Sequence, residues 1–488
     1  MARDDTVLAL SYAVRLPVVL KYLGQLALAL AVLTLPPLLA AVWFQDYGFA
    51  LRLLLVMVLA GVAGTLLSRL PAPARLQVNE ALVITALAFV GSAALMTWPL
   101  MSAGISLSAA LFEAVSAVTT TGLSTLATVE GLPPAFLFTR AWMQWYGGLG
   151  IVVLTVALLL GHRLAAHRLV DPELRAENIA TTTRHYARRM LLVYVLLSLG
   201  GLFLLWLAQV DMFSAVTHVL AAVSTGGFSS ADAGLAALPP AGQAVVSLLC
   251  VAGAVALPLY YLTFHRGLAE ALRDIELRAL LLALLVLGAV LAWILAAHGM
   301  AWDAALRHGV LLGIAAQTTA GFASLEIGSL ADGATLLLIL AMLGGGSLGS
   351  TAGGVKLLRV LILARLVQLA LWRSAVAEHA VVQPRLGTRH LESDDTERAL
   401  LLILLFLLVI AASWLPFVLL GYDPLDALFE VVSATATVGL SSGISAGDLP
   451  PLLQAVLCFD MLAGRVEIVA LLVLLFPGTW FGKRAHVA

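Results

Sequence analysis

Ten long apolar stretches constrain the fold of this chain more than any other feature of its sequence. A membrane-crossing helix needs roughly 20 apolar residues, and in lipid only helices and closed barrels satisfy their own backbone polar groups. Charged residues make up 11% of the chain, against roughly a quarter in ordinary soluble domains. The sequence therefore predicts an all-α polytopic membrane protein. The candidate spans lie near 23–44, 52–68, 78–98, 136–160, 190–209, 241–264, 278–298, 333–370, 399–420 and 452–477.

The distribution of Lys and Arg predicts which side of the membrane each loop faces, because cytoplasmic loops carry the excess of positive charge. With the N-terminus inside, the segments 161–189, 265–277 and 371–398 are cytoplasmic, and the first of them contains six arginines. An even number of spans puts both termini on the same side. We therefore expect cytoplasmic N- and C-termini and acidic outward-facing loops.

Several other functions find no support in the sequence. The net charge of −1 says nothing about partners, and we expect no nucleic acid among them. Cys250 and Cys458 lie in apolar runs, where cysteine is expected as a packing residue. No metal-ligand cluster, nucleophile–base spacing or carboxylate pair suggests an enzyme. The predicted cytoplasmic segments are too short to fold into a nucleotide-binding domain. We therefore expect no nucleotide to be bound by this chain, and any soluble regulatory domain must belong to another chain.

A short sequence containing a Thr-x-Gly turn occurs four times. "LFEAVSAVTTTGLS" (111–124) and "LFEVVSATATVGLS" (428–441) are identical at ten of fourteen positions, and weaker copies lie at 218–229 and 313–323. Each turn follows a short apolar helix, for which Ser106, Asp211 and Asp423 are candidate N-caps. The second turn differs by having glycine at its middle position. The turns are Thr120-Thr121-Gly122, Thr225-Gly226-Gly227, Thr319-Ala320-Gly321 and Thr437-Val438-Gly439.

This repetition predicts two N-terminal transmembrane helices followed by four parallel repeats around a central pore. Each repeat consists of a span, a short pore helix, a filter turn and a second span. Carriers with alternating access are built from inverted repeats, so parallel repeats favour a pore. The predicted units are residues 1–72 for the N-terminal region and 73–165, 166–270, 271–385 and 386–488 for the repeats.

The chemistry of the turns suits a cation. The carboxyl end of a helix carries partial negative charge, glycine permits unusual backbone angles, and rings of carbonyl oxygens replace the hydration shell in potassium filters. Glu113 and Glu430 occupy matching positions nine residues before their glycines. We expect these two carboxylates to brace the filter, and Arg140 and Arg307 to support the pore helices.

The stretch "GGGSLGSTAGGVK" (344–356) resembles a phosphate-binding loop, but Lys356 follows Val355, whereas a Walker A loop needs Gly-Lys-Ser/Thr. Two interpretations remain: a flexible kink between closely packed helices, or an intramembrane loop beneath the filter that lines a water-filled cavity. Arg465, deep in the last span, is either a second barrier or the ion-pair partner of Asp460 or another carboxylate. The candidate gate residues are Gly344, Gly345, Gly346, Ser347, Gly349, Ser350, Thr351, Gly353, Gly354, Lys356 and Arg465.

These motifs, together with "QWYGGLGI" (144–151) and "GRVEI" (464–468), resemble the Trk/Ktr/HKT superfamily of potassium transporters, and most closely its TrkH family, over nearly the whole chain. The resemblance implies potassium uptake across a bacterial inner membrane through a selective, gated, channel-like pore. It also implies a gate at 344–356, a pore-facing arginine at 465, and a homodimer on cytoplasmic TrkA-like nucleotide-binding subunits. A symporter that couples K⁺ to Na⁺ or H⁺ remains an alternative.

Overall fold

The computed structural model describes residues 13–72, 76–168, 176–375, 385–387, 389–445 and 447–481. For 154–168 and 176–186 it describes the backbone alone. Both predicted cytoplasmic termini extend beyond these residues, and so do parts of the predicted cytoplasmic segments 161–189 and 371–398.

The N-terminal region forms a helical hairpin whose two arms are each long and apolar enough to cross a membrane. The first apolar stretch is divided into two helices at Thr34, just before Pro36 and Pro37, which have no N–H groups for the preceding turn. The Leu30 carbonyl accepts both the Thr34 N–H at 2.9 Å and the Thr34 hydroxyl at 2.8 Å. The Asp46 carboxylate caps the second span by accepting the Phe49 N–H. The helices are α1 (Leu16–Leu33), α2 (Leu35–Trp43) and α3 (Tyr47–Ser68).

The first two predicted repeats each contain a long first helix, a short central helix and a second helix that begins at a proline. The first has α4 (Val78–Leu100), α5 (Leu107–Val118) and α6 (Pro134–Arg168). The second has α7 (Ala176–Leu207), α8 (Met212–Val223), α9 (Pro240–Ala254), α10 (Leu257–Arg266) and α11 (Leu268–Ala271). Short 3₁₀ turns lie at Met101–Ala103 and Gly234–Ala237.

The last two predicted repeats follow the same order. The third has α12 (Ile275–Ala297), α13 (Trp302–Gln317), α14 (Asp332–Gly344) and α15 (Leu357–Arg373), with a 3₁₀ turn at Ile327–Ser329. The fourth has α16 (Ser393–Leu419), α17 (Pro424–Thr435), α18 (Pro451–Arg465), α19 (Glu467–Leu475) and α20 (Pro477–Trp480). Between them, β1 (Arg385–Leu386) pairs antiparallel with β2 (Arg389–His390).

The starts of the short helices follow the sequence prediction. The side chains of Ser106, Asp211 and Asp423 accept backbone N–H groups at the beginnings of α5, α8 and α17. These bonds satisfy donors that have no partner within the helix. α13 is the exception, since it begins at Trp302 without a side-chain cap. It is also the longest of the four, which we call the pore helices.

The pore helices lie at the centre of the molecule, and large apolar side chains point outward from the surrounding spans. Phe112 on α5 and Phe429 on α17 are fully buried, whereas Trp206 on α7 and Trp293 on α12 are about 60% exposed. Among the described residues, six helical stretches are long and apolar enough to cross a membrane, and the bent pair α9–α10 makes a seventh. The prediction of an all-α polytopic membrane protein is confirmed.

Besides the first, three predicted spans are interrupted. The stretch 333–370 is broken by the glycine-rich segment, as predicted, but 241–264 and 452–477 were expected to be continuous. α9 and α10 meet at 90°, because Pro258 has no N–H for the Ala254 carbonyl. α18 ends at Arg465, and Glu467 then takes a left-handed φ of 56°.

Candidate ion pore and gate

The four Thr-x-Gly turns share one backbone conformation. Each begins with a threonine in the left-handed region, which is a genuine outlier for a β-branched residue, and each ends with a glycine of positive φ. From the sequence we expected unusual angles at the glycines alone. The threonine φ values are 54° (Thr120), 52° (Thr225), 54° (Thr319) and 51° (Thr437), and those of the glycines are 92° (Gly122), 81° (Gly227), 68° (Gly321) and 93° (Gly439).

Backbone hydrogen bonds to the pore helices hold these turns. In the first turn, the Thr120 N–H donates to the Ala117 carbonyl at 3.1 Å, and the Thr121 N–H donates to the Ser116 carbonyl at 2.9 Å. This pair of bonds is the Schellman motif that closes many helix C-termini. The equivalent pairs occur at the other three turns. The structure therefore fixes each threonine in a conformation that glycine usually adopts at that position.

The four turns meet in a closed ring. A Cβ atom on each glycine would overlap the carbonyl oxygen of the middle residue in the next turn, so only glycine fits at this approach. The contacts run from the first turn to the second, third and fourth, and back to the first. They are Gly122 to Gly226, Gly227 to Ala320, Gly321 to Val438, and Gly439 to Thr121.

The ring offers oxygen atoms as ligands. The buried hydroxyls of Thr120 and Thr437 have no hydrogen-bond partner among the described residues. Within the same part of the chain, no group of three His, Cys, Asp or Glu side chains could hold a metal ion. The ligands on offer are therefore neutral carbonyl and hydroxyl oxygens, which suit a partly dehydrated monovalent cation as cargo.

Glu113 connects the first pore helix to the chain that leaves its turn. Its carboxylate accepts the Ser124 hydroxyl at 2.7 Å and the Thr125 N–H at 3.0 Å. It also forms an ion pair of 2.7 Å with Arg140 on α6. The Arg140 guanidinium lies 3.8 Å from the ring centre of Phe228, just after the second turn. This buried ion pair therefore links the first two turns from behind.

Glu430 occupies the equivalent place in the fourth repeat and makes equivalent bonds. It accepts the Ser441 hydroxyl at 3.0 Å and the Ser442 N–H at 3.0 Å. The position on α18 that is equivalent to Arg140 on α6 is Leu457, which has no charge. Glu430 is therefore held by hydrogen bonds without an ion pair. In the second repeat, His218 contacts the Ser229 hydroxyl at 3.2 Å.

The glycine-rich segment 344–356, which we call the gate loop, lies directly against the ends of three pore helices. The Thr351 hydroxyl lies 3.1 Å from the Val223 carbonyl, at the end of α8. The Gly353 N–H donates to the Thr319 hydroxyl at 2.6 Å, and the Gly354 N–H donates to the Ala436 carbonyl at 3.0 Å. The loop is an unwound segment with its own tertiary contacts, which is more than a helix kink.

The gate loop also fills the break between α9 and α10. The Ser347 N–H donates to the Ala254 carbonyl at 2.9 Å, and the Thr351 N–H donates to the Gly253 carbonyl at 3.1 Å. In the opposite direction, the Leu257 N–H donates to the Gly349 carbonyl at 3.1 Å. In a continuous helix Leu257 would donate to Gly253. The loop therefore supplies hydrogen bonds that the break removes from the span.

Two further side chains hold the gate loop, and sequence reasoning missed both. The Gln317 amide on α13 donates to the Gly345 carbonyl at 2.8 Å, and the Glu276 carboxylate on α12 accepts the Leu348 N–H at 2.7 Å. Gln317 could have been found by aligning the repeats, because this helix position is apolar or threonine in the other three. Glu276 lies in the charged segment 265–277, which gave no comparable signal.

Arg465 holds the gate loop from the opposite side. Its guanidinium donates to the Thr351 carbonyl at 2.7 Å and to the Gly147 carbonyl at 3.4 Å. Asp460 instead accepts the Ser413 hydroxyl at 2.6 Å. The alternative of an ion pair between Arg465 and a carboxylate is therefore not observed within the described residues.

A pocket lies beside Arg465, below the loop. Lys356, Gly464 and Glu467 line it, and Arg359 forms an ion pair of 2.7 Å with Glu467 at its edge. The loop therefore contacts both this pocket and the ends of the pore helices.

Four turns, each at the C-terminus of a short helix, form a ring inside a bundle of apolar helices. This arrangement defines a polytopic membrane protein built for cation transport. A family model described as "TrkH: Cation transport protein" matches residues 54–478. The chain belongs to the TrkH family, and the prediction that it is a transport protein, not an enzyme, is confirmed.

Named relatives cover most of the chain. The Trk system potassium uptake protein TrkI of Halomonas elongata is 31% identical over 476 residues, or 95% of this chain and 96% of that protein. The potassium uptake protein TrkH of Escherichia coli is 31% identical over 78% of this chain and 80% of its own length. The crystal structure of the potassium transporter TrkH from Vibrio parahaemolyticus matches with a TM-score of 0.85 at 26% identity, covering 96% of this chain and 100% of that chain.

Proposed function

We propose that this chain takes up potassium across the cytoplasmic membrane through a gated, channel-like pore. The single observation that carries the proposal is the closed ring of four turns, in which threonine and glycine take left-handed angles and each glycine contacts the next turn's carbonyl. Such a ring presents carbonyl oxygens to an ion in place of water. The printed names of the relatives, which are potassium uptake proteins, support the choice of ion.

The gate in this proposal consists of the gate loop and Arg465. The loop lies between the pore-helix ends and the pocket beside Arg465, so an ion leaving the ring meets it first. The Arg465 guanidinium adds a fixed positive charge and a bond to the Thr351 carbonyl. Displacing the loop would open the path while leaving the ring intact.

The assembly in this proposal is a homodimer with one pore per chain, regulated by cytoplasmic TrkA-like subunits that bind the nucleotide. The termini are cytoplasmic, and the units are the N-terminal region 1–72 and four repeats. The equivalent caps, turns and glycine contacts of the repeats support this division.

The test is ion flux into liposomes containing the purified chain, with K⁺, Rb⁺ and Na⁺ compared with and without a cytoplasmic partner subunit. We expect K⁺ and Rb⁺ to pass well ahead of Na⁺. Equal flux of all three ions would overturn the proposal. K⁺ flux that requires an inward Na⁺ or H⁺ gradient would favour the symporter alternative.

A further inference from the structure

The second turn lacks the support that its own pore helix gives to the first and fourth turns. In those two, a serine of the pore helix accepts the glycine N–H: Ser116 from Gly122 at 3.0 Å, and Ser433 from Gly439 at 3.1 Å. The position equivalent to these serines in the second repeat is Ala221. The second turn is also the one whose middle residue is glycine.

Gln144 of α6 supplies the missing support from the neighbouring repeat. Its amide N–H donates to the Gly226 carbonyl at 2.5 Å, and its amide oxygen accepts the Phe228 N–H at 3.2 Å. The side chain is fully buried. One amide therefore spans the two peptide groups on either side of Gly227.

Gln144 also explains why the middle residue is glycine. A Cβ atom on Gly226 would lie 2.6 Å from the Gln144 amide oxygen and 2.8 Å from its nitrogen. Any side chain at residue 226 would displace the amide from the turn. The second turn therefore has glycine at its middle position because Gln144 occupies the space that a side chain would need.

We propose that Gln144 is a positioning residue that sets the geometry of the second turn and thereby the ion selectivity of the ring. The inference rests on the proposed function. The Gly226 carbonyl contacts Gly122 of the first turn, so a shift of this oxygen changes the size of the ring on one side. A buried amide with both of its groups bonded holds that oxygen in one place.

The test compares K⁺ over Na⁺ permeability, from reversal potentials, in the full-length wild type and in Gln144→Leu. We expect the permeability ratio to fall by roughly fivefold, because leucine removes both hydrogen bonds of the amide and frees the Gly226 carbonyl to shift, while the protein still folds. Gln454→Leu is the matched control, because the Gln454 amide is buried in α18 and donates to the Leu449 carbonyl, away from the turns. Ala221→Ser added to Gln144→Leu should restore part of the ratio by supplying the serine of the first and fourth repeats.

The outcomes separate the two proposals. A wild type that does not distinguish K⁺ from Na⁺ overturns the proposed function. A selective wild type with an unchanged ratio in folded Gln144→Leu overturns the role of Gln144, and so does an equal fall in Gln454→Leu. If Gln144→Leu does not fold, Gln144→Met decides. This variant keeps the length of the side chain but removes the donor to Gly226, and wild-type selectivity in it overturns the proposal.

Discussion

Each of the four threonines at the start of a turn stores conformational strain at the place where an ion would pass. A residue held in a sparsely populated backbone region costs on the order of 1–3 kcal/mol and persists only where its surroundings over-determine it. Here the surroundings are the Schellman hydrogen bonds and the contact with the next turn. The ring is consequently rigid where it needs fixed oxygen positions.

Gly439→Ala should weaken K⁺ over Na⁺ selectivity. The new Cβ would overlap the Thr121 carbonyl oxygen, and the φ of 93° is unfavourable for alanine. Reversal potentials in mixed K⁺ and Na⁺ measure the effect. Gly200→Ala is the control, since a Cβ there meets nothing within 4 Å. Unchanged selectivity in folded Gly439→Ala would remove the ring from the ion path.

Arg465→Ala should increase K⁺ flux. It removes a positive charge, which at 4 Å repels a cation by about 4 kcal/mol at an effective dielectric of 20, and it also removes a bond to the Thr351 carbonyl. Arg465→Lys should stay nearer to wild type, because the charge remains. Uptake of ⁸⁶Rb⁺ and the melting temperature should be measured on the same preparations. A stable alanine variant with unaltered uptake would contradict the barrier role.

At the residue scale, the sequence predicts the glycines of the turns and the positions of Glu113 and Glu430, because a repeated pattern exposes them. It did not predict the left-handed threonines, since β-branched residues disfavour that region and only tertiary contacts impose it. Gln144 lies in a motif that we had singled out, but its bond to Gly226 crosses between repeats. Sequence spacing carries no sign of such a contact.

At the scale of elements, the α9–α10 break and the gate loop form one hydrogen-bonded unit. The loop occupies the Gly253 and Ala254 carbonyls and the Leu257 N–H. If the loop leaves, these groups lose their partners. A continuous α9–α10 helix would restore the bond from Leu257 to Gly253, so straightening of this span and opening of the loop should favour each other.

Pro258→Ala should therefore raise basal K⁺ flux. Alanine supplies an N–H that can bond the Ala254 carbonyl, so the continuous helix competes with the gate loop for the same acceptor. Selectivity should stay at the wild-type value, because the ring is untouched. Flux and permeability ratios measured in liposomes check both.

The matched control is Pro416→Ala, which removes a proline from the interior of α16. This variant should leave flux unchanged, since the Pro416 carbonyl accepts the Leu420 N–H at the end of α16 and no hydrogen bond joins Pro416 to the described residues of the gate loop. Equal increases in both variants would argue against a link between the α9–α10 break and the gate.

Helix positions were largely predictable because apolar length and proline mark spans and their starts. The bend between α9 and α10 was not predicted, although the sequence shows Pro258 at this place. A proline inside an apolar stretch is compatible with a kink or a full break. What decides is whether another segment bonds the freed backbone groups, and here that segment lies almost a hundred residues further along the chain.

On the scale of the whole molecule, the ring closes within one chain. Gly439 of the fourth turn contacts Thr121 of the first, so no second copy is needed to complete it. Because one chain supplies all four turns, their sequences and supporting contacts can differ. The first turn is supported by the Glu113–Arg140 ion pair and a serine, and the second by Gln144. The third turn is hydrogen-bonded to the gate loop.

Co-reconstitution tests this closure. Mixing wild type with Gly439→Ala should make selective K⁺ flux fall in direct proportion to the wild-type fraction, because each chain carries its own ring. A pore assembled from several chains would instead lose flux much more steeply. Flux per total protein, measured across the mixing series, distinguishes the two dependences.

The hydrogen bonds between the gate loop and the α9–α10 break also have a consequence for biogenesis. The chain is made from its N-terminus, so α9 and α10 are synthesised before the loop, whose Thr351 hydroxyl bonds the Gly253 carbonyl from 98 residues further on. Unsatisfied backbone groups are costly in lipid. We therefore expect the second repeat to stay incompletely paired until the third is synthesised, so the contact that we propose closes the pore would also complete the insertion of the neighbouring span.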